Sequence, residues 1–269
     1  MRGSSAESFT RISSQQARAI ADGADAARMA ENMFTAVAVF RSNPSFRRAA
    51  TDPTAEFENR SAMLREVFGK HFEPAATEVL ATAGGSRWAS SVDMVDSLER
   101  LGVIAVARAA DSAGEADRLE GEMFTFDNVI SENPALRQAL TDRTRSVEDK
   151  QALLRSLLAS KACSGTVRLA EQAVVGNYPT VRHAFADYAR LVTEARGRLL
   201  ARVVVAQPLS EDAQLRLVDV LSRQYDKPVH LNIVIDPETI GGIQVEIGDE
   251  VIDGTVASRL SDAQRRLAG

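Results

Sequence analysis

As far as residue 198, apolar side chains recur at the spacing of helices; beyond it they alternate as in strands. Leu153, Leu154, Leu157 and Leu158 share one helical face, and Met63, Leu64, Val67 and Phe68 share another. Asn133 before Pro134 predicts an N-cap followed by proline at the first helical position. The short helix so opened carries Leu136, Ala139 and Leu140 and stops at Thr141-Asp142. Ser146-Val147-Glu148-Asp149 resembles a capping box, with Asp where Glu or Gln is usual. Further helices are expected near 74–83 and 164–175, closed by Gly84-Gly85 and Gly176. Long helices are expected over about 89–110 and 179–198.

These patterns are one pattern met twice. Met33-Phe34-Thr35 returns as Met123-Phe124-Thr125, Asn43-Pro44 as Asn133-Pro134, and Thr51-Asp52 as Thr141-Asp142. The offset is 90 residues throughout, without a gap. From Met33 to Lys70, 15 of 38 positions are identical in the second copy. A fixed internal period of this kind marks a supersecondary unit used more than once. No Pro/Gly/Ser-rich linker separates the copies, only Ser112-Ala113-Gly114. The long helix of copy one runs through Leu101-Gly102-Val103-Ile104 into the opening of copy two, so the copies should pack in a defined relation.

The last segment has no twin. Arg202-Val203-Val204-Val205 is a β-branched run ended by Pro208. Ser210 caps a helix over about 211–225, with Leu215, Val218, Leu221 and Tyr225 on one face. Val229, Leu231, Ile233 and Ile235 alternate with His230, Asn232, Val234 and Asp236, which predicts a strand. Ile243, Val245 and Ile247 alternate again. Gly248-Asp249 turns the chain into Val251-Ile252, and a final helix is expected over about 255–267. The expected fold is therefore mostly α, with two repeated helical bundles and a small four-stranded α/β unit at the C-terminus. The expected divisions are 1–110, 111–198 and 199–269.

Composition sharpens this picture. Aromatic residues are only 5 % of the chain, so the helical cores rest mainly on Ala, Leu and Val. The net charge of −5 and the lack of a basic stripe argue against a nucleic-acid binder. Cys163 is the single cysteine, which excludes an internal disulfide. The opening Met1-Arg2-Gly3-Ser4-Ser5-Ala6-Glu7 has no apolar stretch, so no signal peptide is expected, and no run reaches the ~18 apolar residues of a membrane span.

Catalytic patterns are not found. There is no phosphate-binding loop ending in Gly-Lys-Ser/Thr and no GxGxxG after a strand; Gly84-Gly85 follows a helix and lacks the lysine. His71, His183 and His230 do not pair at metal-ligand spacing. His183 has Asp93 as its counterpart, an exchange that a shared catalytic role does not predict. Asp249, Glu250 and Asp253 lack the ordered ligands of a calcium loop. Cys163 lies on a predicted helix without an evident base, and no Ser sits in GxSxG. No cofactor, metal or catalytic residue is expected, and the residues favour an interaction protein over an enzyme.

One stretch carries a resemblance. Ile240-Gly241-Gly242-Ile243-Gln244-Val245-Glu246-Ile247-Gly248-Asp249-Glu250-Val251-Ile252-Asp253-Gly254-Thr255 resembles the signature of the delta subunit of F-type ATP synthase, the bacterial relative of the oligomycin-sensitivity-conferring protein. Pro208-Leu209-Ser210, Val234-Ile235-Asp236-Pro237 and Val256-Ala257-Ser258-Arg259-Leu260 are similar to the family at matching places. Copy two resembles the family's helical domain, and the whole chain is similar to the long, duplicated actinobacterial type. Pro208, Asp236, Pro237, Gly241, Gly242, Gly248, Asp249, Asp253, Gly254, Arg259 and Leu260 are read as fold-specifying, with contact to a b subunit as a second role.

The resemblance implies a non-catalytic stator subunit, peripheral on the cytoplasmic side of the cell membrane. Its helical repeats would bind N-terminal segments of alpha subunits, and its C-terminal unit the C-terminal region of the b subunit. Torque from the rotor would then act on the catalytic head instead of spinning it. Copy two is expected to hold the alpha helix between its first and fifth helices, near Val103–Ala110 and Val167–Val175. The alternative is a helical adaptor unrelated to ATP synthase.

Overall fold

The computed structural model describes residues 3–142, 144–237, 239, 241–247 and 250–253. Copy one comprises α1 (Ser4–Ala21), α2 (Ala26–Ser42), α3 (Pro44–Ala50), α4 (Phe57–Phe68), α5 (Pro74–Gly85) and α6 (Ser91–Ser112). Copy two continues with α7 (Ala116–Glu132), α8 (Pro134–Thr141), α9 (Val147–Leu158), α10 (Ser164–Ala173) and α11 (Val181–Ala195). The offset of 90 carries α2 onto α7 and α4 onto α9, residue for residue at both ends. It carries α1 to 94–111, inside α6. One helix therefore closes copy one and opens copy two.

Local signals explain most helix starts. The Asn133 side chain accepts from the Leu136 amide, the Ser146 hydroxyl from Asp149 and the Asp25 carboxylate from Ala27 and Arg28. Each satisfies amide groups that the first helical turn leaves unpaired. One expected stop is corrected. Gly84 and Gly85 do not close α5 but form its last turn, and the helix ends before Ser86. A Cβ on Gly84 would collide with Leu64, and one on Gly85 with Phe57. The two glycines are there because α4 lies directly on them.

The chain divides into two compact units, residues 1–192 and 193–269. Both helical copies fall within the first, except the last three residues of α11. Its core is made of side chains such as Ile12, Met33, Leu64, Leu80, Leu98, Leu101 and Leu119, all fully buried. Gln16 on α1 donates from Nε2 to the Leu101 carbonyl inside this core.

The second unit contains β1 (Leu199–Val205), α12 (Glu211–Tyr225), β2 (Val229–Ile235), β3 (Ile243–Ile247) and β4 (Glu250–Asp253). The sheet order is β2-β1-β3-β4. β1 and β2 are parallel, from Leu199 opposite Val229 to Val205 opposite Ile235. α12 makes the crossover such a pair requires. β3 runs antiparallel to both β1 and β4, with Val203 opposite Val245 and Val245 opposite Ile252. Ala201, Val203, Val205, Val229, Val245 and Ile247 bury one face of the sheet, and Leu221 packs onto it.

The inner stripe of α12 differs from the expected one. Leu217, Leu221 and Tyr225 face the sheet, four residues apart, while Leu215 is 68 % exposed. Leu215 lies roughly 160° around the helix from Leu217, because two residues are about 200° of turn. Ile235 is likewise exposed at the end of β2. The hairpin turn at Gly248-Asp249 and the final helix over 255–267 lie outside the described residues.

Candidate partner-binding surfaces

The channel between α6 and α10, the first and fifth helices of copy two, was expected to be open. It is not, because α2 of copy one packs along α6 and meets α10 through Arg168. The Phe34 ring fills the space above Gly102 on α6. The Arg168 guanidinium on α10 stacks 4.3 Å over the same ring, and Arg168 Nε donates to Glu31 Oε1 at 2.7 Å. Farther along, Arg41 donates to the carbonyl of Val175 at 3.2 Å. Val103, Val106 and Ala107 are all buried. The expected groove is thus an internal seam between the copies.

A buried carboxylate anchors that seam. Glu99 on α6 is 2 % exposed and accepts from Arg41 on α2, Gln172 on α10 and Tyr188 on α11, at 2.8, 2.8 and 2.9 Å. Four helices meet at this one side chain. Three donors, one of them charged, are what a buried carboxylate needs to avoid a large desolvation penalty. Burial and the nearby Glu99 charge hold the Tyr188 hydroxyl well above its ordinary pKa, so it serves as a donor.

A second cluster adjoins it. Tyr178 donates to Asp187 at 2.7 Å, Arg190 to Asp187 at 2.7 Å, and Arg100 reaches the same carboxylate at 3.4 Å. Burial pushes the Asp187 carboxyl up, but the hydrogen bonds from Tyr178 and Arg190 and the charge of Arg100 outweigh it, and the net direction is down. The Tyr178 hydroxyl is raised by burial and by its bond to Asp187. Arg41 borders a cavity of about 210 Å³ with Arg47, Asp96 and Asn177, while its guanidinium is spent on Glu99 and the Val175 carbonyl; the bonds of both clusters join helices to one another.

Cys163 stands at the N-cap of α10 rather than within a helix. It is buried, its amide donates to Glu122 Oε2 at 2.8 Å, and its Sγ is 3.2 Å from Thr166 Oγ1. His183 contacts Thr180, which precedes α11. Among the described residues no group of three His, Cys, Asp or Glu side chains could hold a metal ion, and no helix is long and apolar enough to cross a membrane.

The motif residues of the C-terminal unit cluster where its strands connect. Pro208 follows β1. Asp236 and Pro237 follow β2, and the Asp236 amide donates to the Val205 carbonyl at 2.8 Å, extending the β1–β2 ladder by one bond. Gly241 and Gly242 lead into β3 with φ of 69° and 88°, a conformation that side chains disfavour. Asp253 ends β4 opposite Gln244. Gly248, Asp249, Gly254, Arg259 and Leu260 lie outside the described residues. Sequence reasoning missed Glu99 and Arg41, whose counterparts at the 90-residue offset are Phe9 and Ser131. That departure from the repeat was the available signal.

The family model described as ATP synthase delta (OSCP) subunit matches residues 104–267. Three relatives named ATP synthase subunit delta align over most of their length. That of a Nocardioides species is 43 % identical over all of this chain and 98 % of its own. That of Kineococcus radiotolerans is 37 % identical over 93 % and 91 %. That of Streptomyces avermitilis is 38 % identical over 91 % and 90 %.

Proposed function

This chain belongs to the ATP synthase delta (OSCP) subunit family, a peripheral stalk component, and from that premise we propose that it is the non-catalytic link between the catalytic head and the b subunit. Membership sets aside the alternative of an adaptor unrelated to ATP synthase. The observation that carries the reading is the division into a helical unit holding both copies and a separate α/β unit holding the family motif. A tether needs two such ends, one for each partner. The helical unit is assigned to N-terminal segments of alpha subunits and the α/β unit to the C-terminal region of b. The subunit sits peripherally at the cytoplasmic face of the cell membrane through these partners and holds the head against rotor torque.

The closed seam at Glu99 argues for an alpha-binding surface elsewhere. With α2 over the α6–α10 channel, the equivalent channel of copy one, between α1 and α5, is the candidate. Phe9, half-buried on α1, stands where copy two has Glu99. An amphipathic helix laid there would use anchors at i, i+3/4 and i+7. Ion pairs on the exposed rim would add little.

Titration of the full chain with an alpha N-terminal peptide tests this. Phe9→Glu should weaken binding at least tenfold, while Arg168→Ala in the covered channel should leave it within twofold. The reverse ranking would return the site to copy two. In parallel, delta-depleted enzyme should regain coupled proton pumping when this chain is added, and recovery of ATP hydrolysis alone would count against a coupling role.

A further inference from the structure

The sheet of the second unit ends in two unlike edges. Its strand order leaves β2 and β4 outermost. β4 has four residues, with an exposed acid at each end, Glu250 and Asp253. Short edge strands that carry charge discourage other strands from pairing with them. β2 has seven residues, Val229–Ile235, with no Asp, Glu, Lys, Arg, Pro or Gly among them. Such guards stand only beyond its ends, at Lys227-Pro228 and Asp236-Pro237.

The ladder with β1 fixes which backbone groups of β2 face away from the sheet. The Leu199 amide donates to the Pro228 carbonyl, and the Asp236 amide to the Val205 carbonyl. Alternate residues of a parallel strand serve one neighbour, so 228, 230, 232, 234 and 236 are the ones that serve β1. The amides and carbonyls of Leu231, Ile233 and Ile235 therefore point to the open side. Val229 points there too, and its amide donates to the Ser222 hydroxyl at 3.2 Å. Among the described residues no partner takes the amides or carbonyls of the other three. Leu231 and Ile233 are half-buried on the α12 side, and Ile235 is 51 % exposed. An unguarded apolar edge of this kind is a template for a further strand.

We propose, resting on the assignment of the α/β unit to b, that an extended segment of the b C-terminal region adds to β2 as a fifth strand. Main-chain bonds to Leu231, Ile233 and Ile235 supply the hold, and alternate side chains supply the fit. Charge chooses between the edges. β2 offers no counter-ion and suits an uncharged segment, whereas Glu250 and Asp253 on β4 repel an acidic one. The segment that fits is apolar beside Leu231, Ile233 and Ile235, and polar beside His230 and Asn232 on the other face.

Titration of the full chain with a labelled peptide of the b C-terminal region, read by fluorescence anisotropy, tests this. Ile235→Lys sets a guard on the β2 edge and should weaken binding at least tenfold. Val251→Lys, at a position 56 % exposed on the other edge, should leave it within twofold. Peptides N-methylated at alternate residues give a readout that does not depend on how either variant folds. A strand bonds to β2 through one alternating set of amides, so one methylated set should bind at least tenfold more weakly and the other as before. Equal loss with both sets is the mark of a helix, whose amides bond within it, and overturns the proposal. Undiminished binding to Ile235→Lys overturns it as well, while b binding itself, and with it the tether, stands. Failure of the wild-type chain to bind the peptide removes both. A dimer of the peptide-free chain that Ile235→Lys abolishes would give the edge to a second copy and overturn the proposal.

Discussion

The guanidinium of Arg41 lies 2.8 Å from the carboxylate of Glu99, and this pair fastens the second helix of copy one to the helix both copies share. Glu99 is the more deeply buried partner, and Gln172 and Tyr188 complete its shell from copy two. A duplication of two independent bundles would not need such a joint. The pair makes the α6–α10 channel part of the protein's interior.

Arg41→Ala should therefore act on the whole helical unit. It leaves the Glu99 carboxylate buried with only neutral donors, and removing one partner of a buried pair costs about 3–5 kcal/mol. Because Gln172 and Tyr188 remain, the lower end, about 3 kcal/mol, is expected. Urea unfolding of wild type and variant measures it, and a loss below about 1 kcal/mol, the scale of an exposed pair, would contradict the assigned role.

Asp187 predicts a pH dependence. Its carboxyl is held below the ordinary value of 3.8, so the folded state favours the ionised form. A depressed acid contributes stability that is fully present above its unfolded pKa and lost as pH falls through the folded one. Asp187→Asn should be less stable than wild type at pH 7, and the difference should shrink below pH 3.8. Denaturant midpoints at pH 7, 5, 4 and 3 check the sign, and a constant difference across that range would exclude the linkage.

What was legible in the sequence was local. Asn133-Pro134, Ser146 and Ser210 announce helix starts because a cap acts within three residues. The alternation over 229–235 and 243–247 announces strands for the same reason. The repeat went further, since it implied that one long helix passes from one copy into the next. Gly84-Gly85 was misread as a stop because its cause, the contact with α4, lies about twenty residues away in sequence. The closure of the copy-two channel was missed for a stronger version of that reason. Arg41 and Gln172 are 131 residues apart and meet only through Glu99.

Gly102 offers a test of how tightly α2 lies on α6. Its absent side chain is replaced by the Phe34 ring, into which a Cβ would intrude. Alanine normally improves a helix interior by about 1 kcal/mol over glycine. Overpacking a filled core costs about 1–3 kcal/mol, so Gly102→Ala should be net destabilising. Phe34→Leu should lessen that penalty when the two are combined, a coupling that a double-mutant cycle in thermal denaturation reads out. Additive effects would mean that the ring and the glycine do not share the space.

Asp226 gives a stabilising change in the C-terminal unit. It ends α12 in the left-handed conformation, at φ 50° and ψ 36°, while its amide donates to the Ser222 carbonyl. Glycine takes that conformation freely, Asp tolerates it, and a β-branched residue resists it. Asp226→Gly removes strain of about 1–2 kcal/mol or less, partly offset by the greater freedom of glycine in the unfolded chain, which leaves a gain of about 0.5 kcal/mol. Asp226→Val should instead destabilise by about 1–2 kcal/mol. Thermal melts of the three chains should rank Gly above Asp above Val, with the shifts confined to the transition of residues 193–269 if the two units melt separately. A ranking with Val at or above Asp would show that the α12 terminus does not keep this conformation in solution.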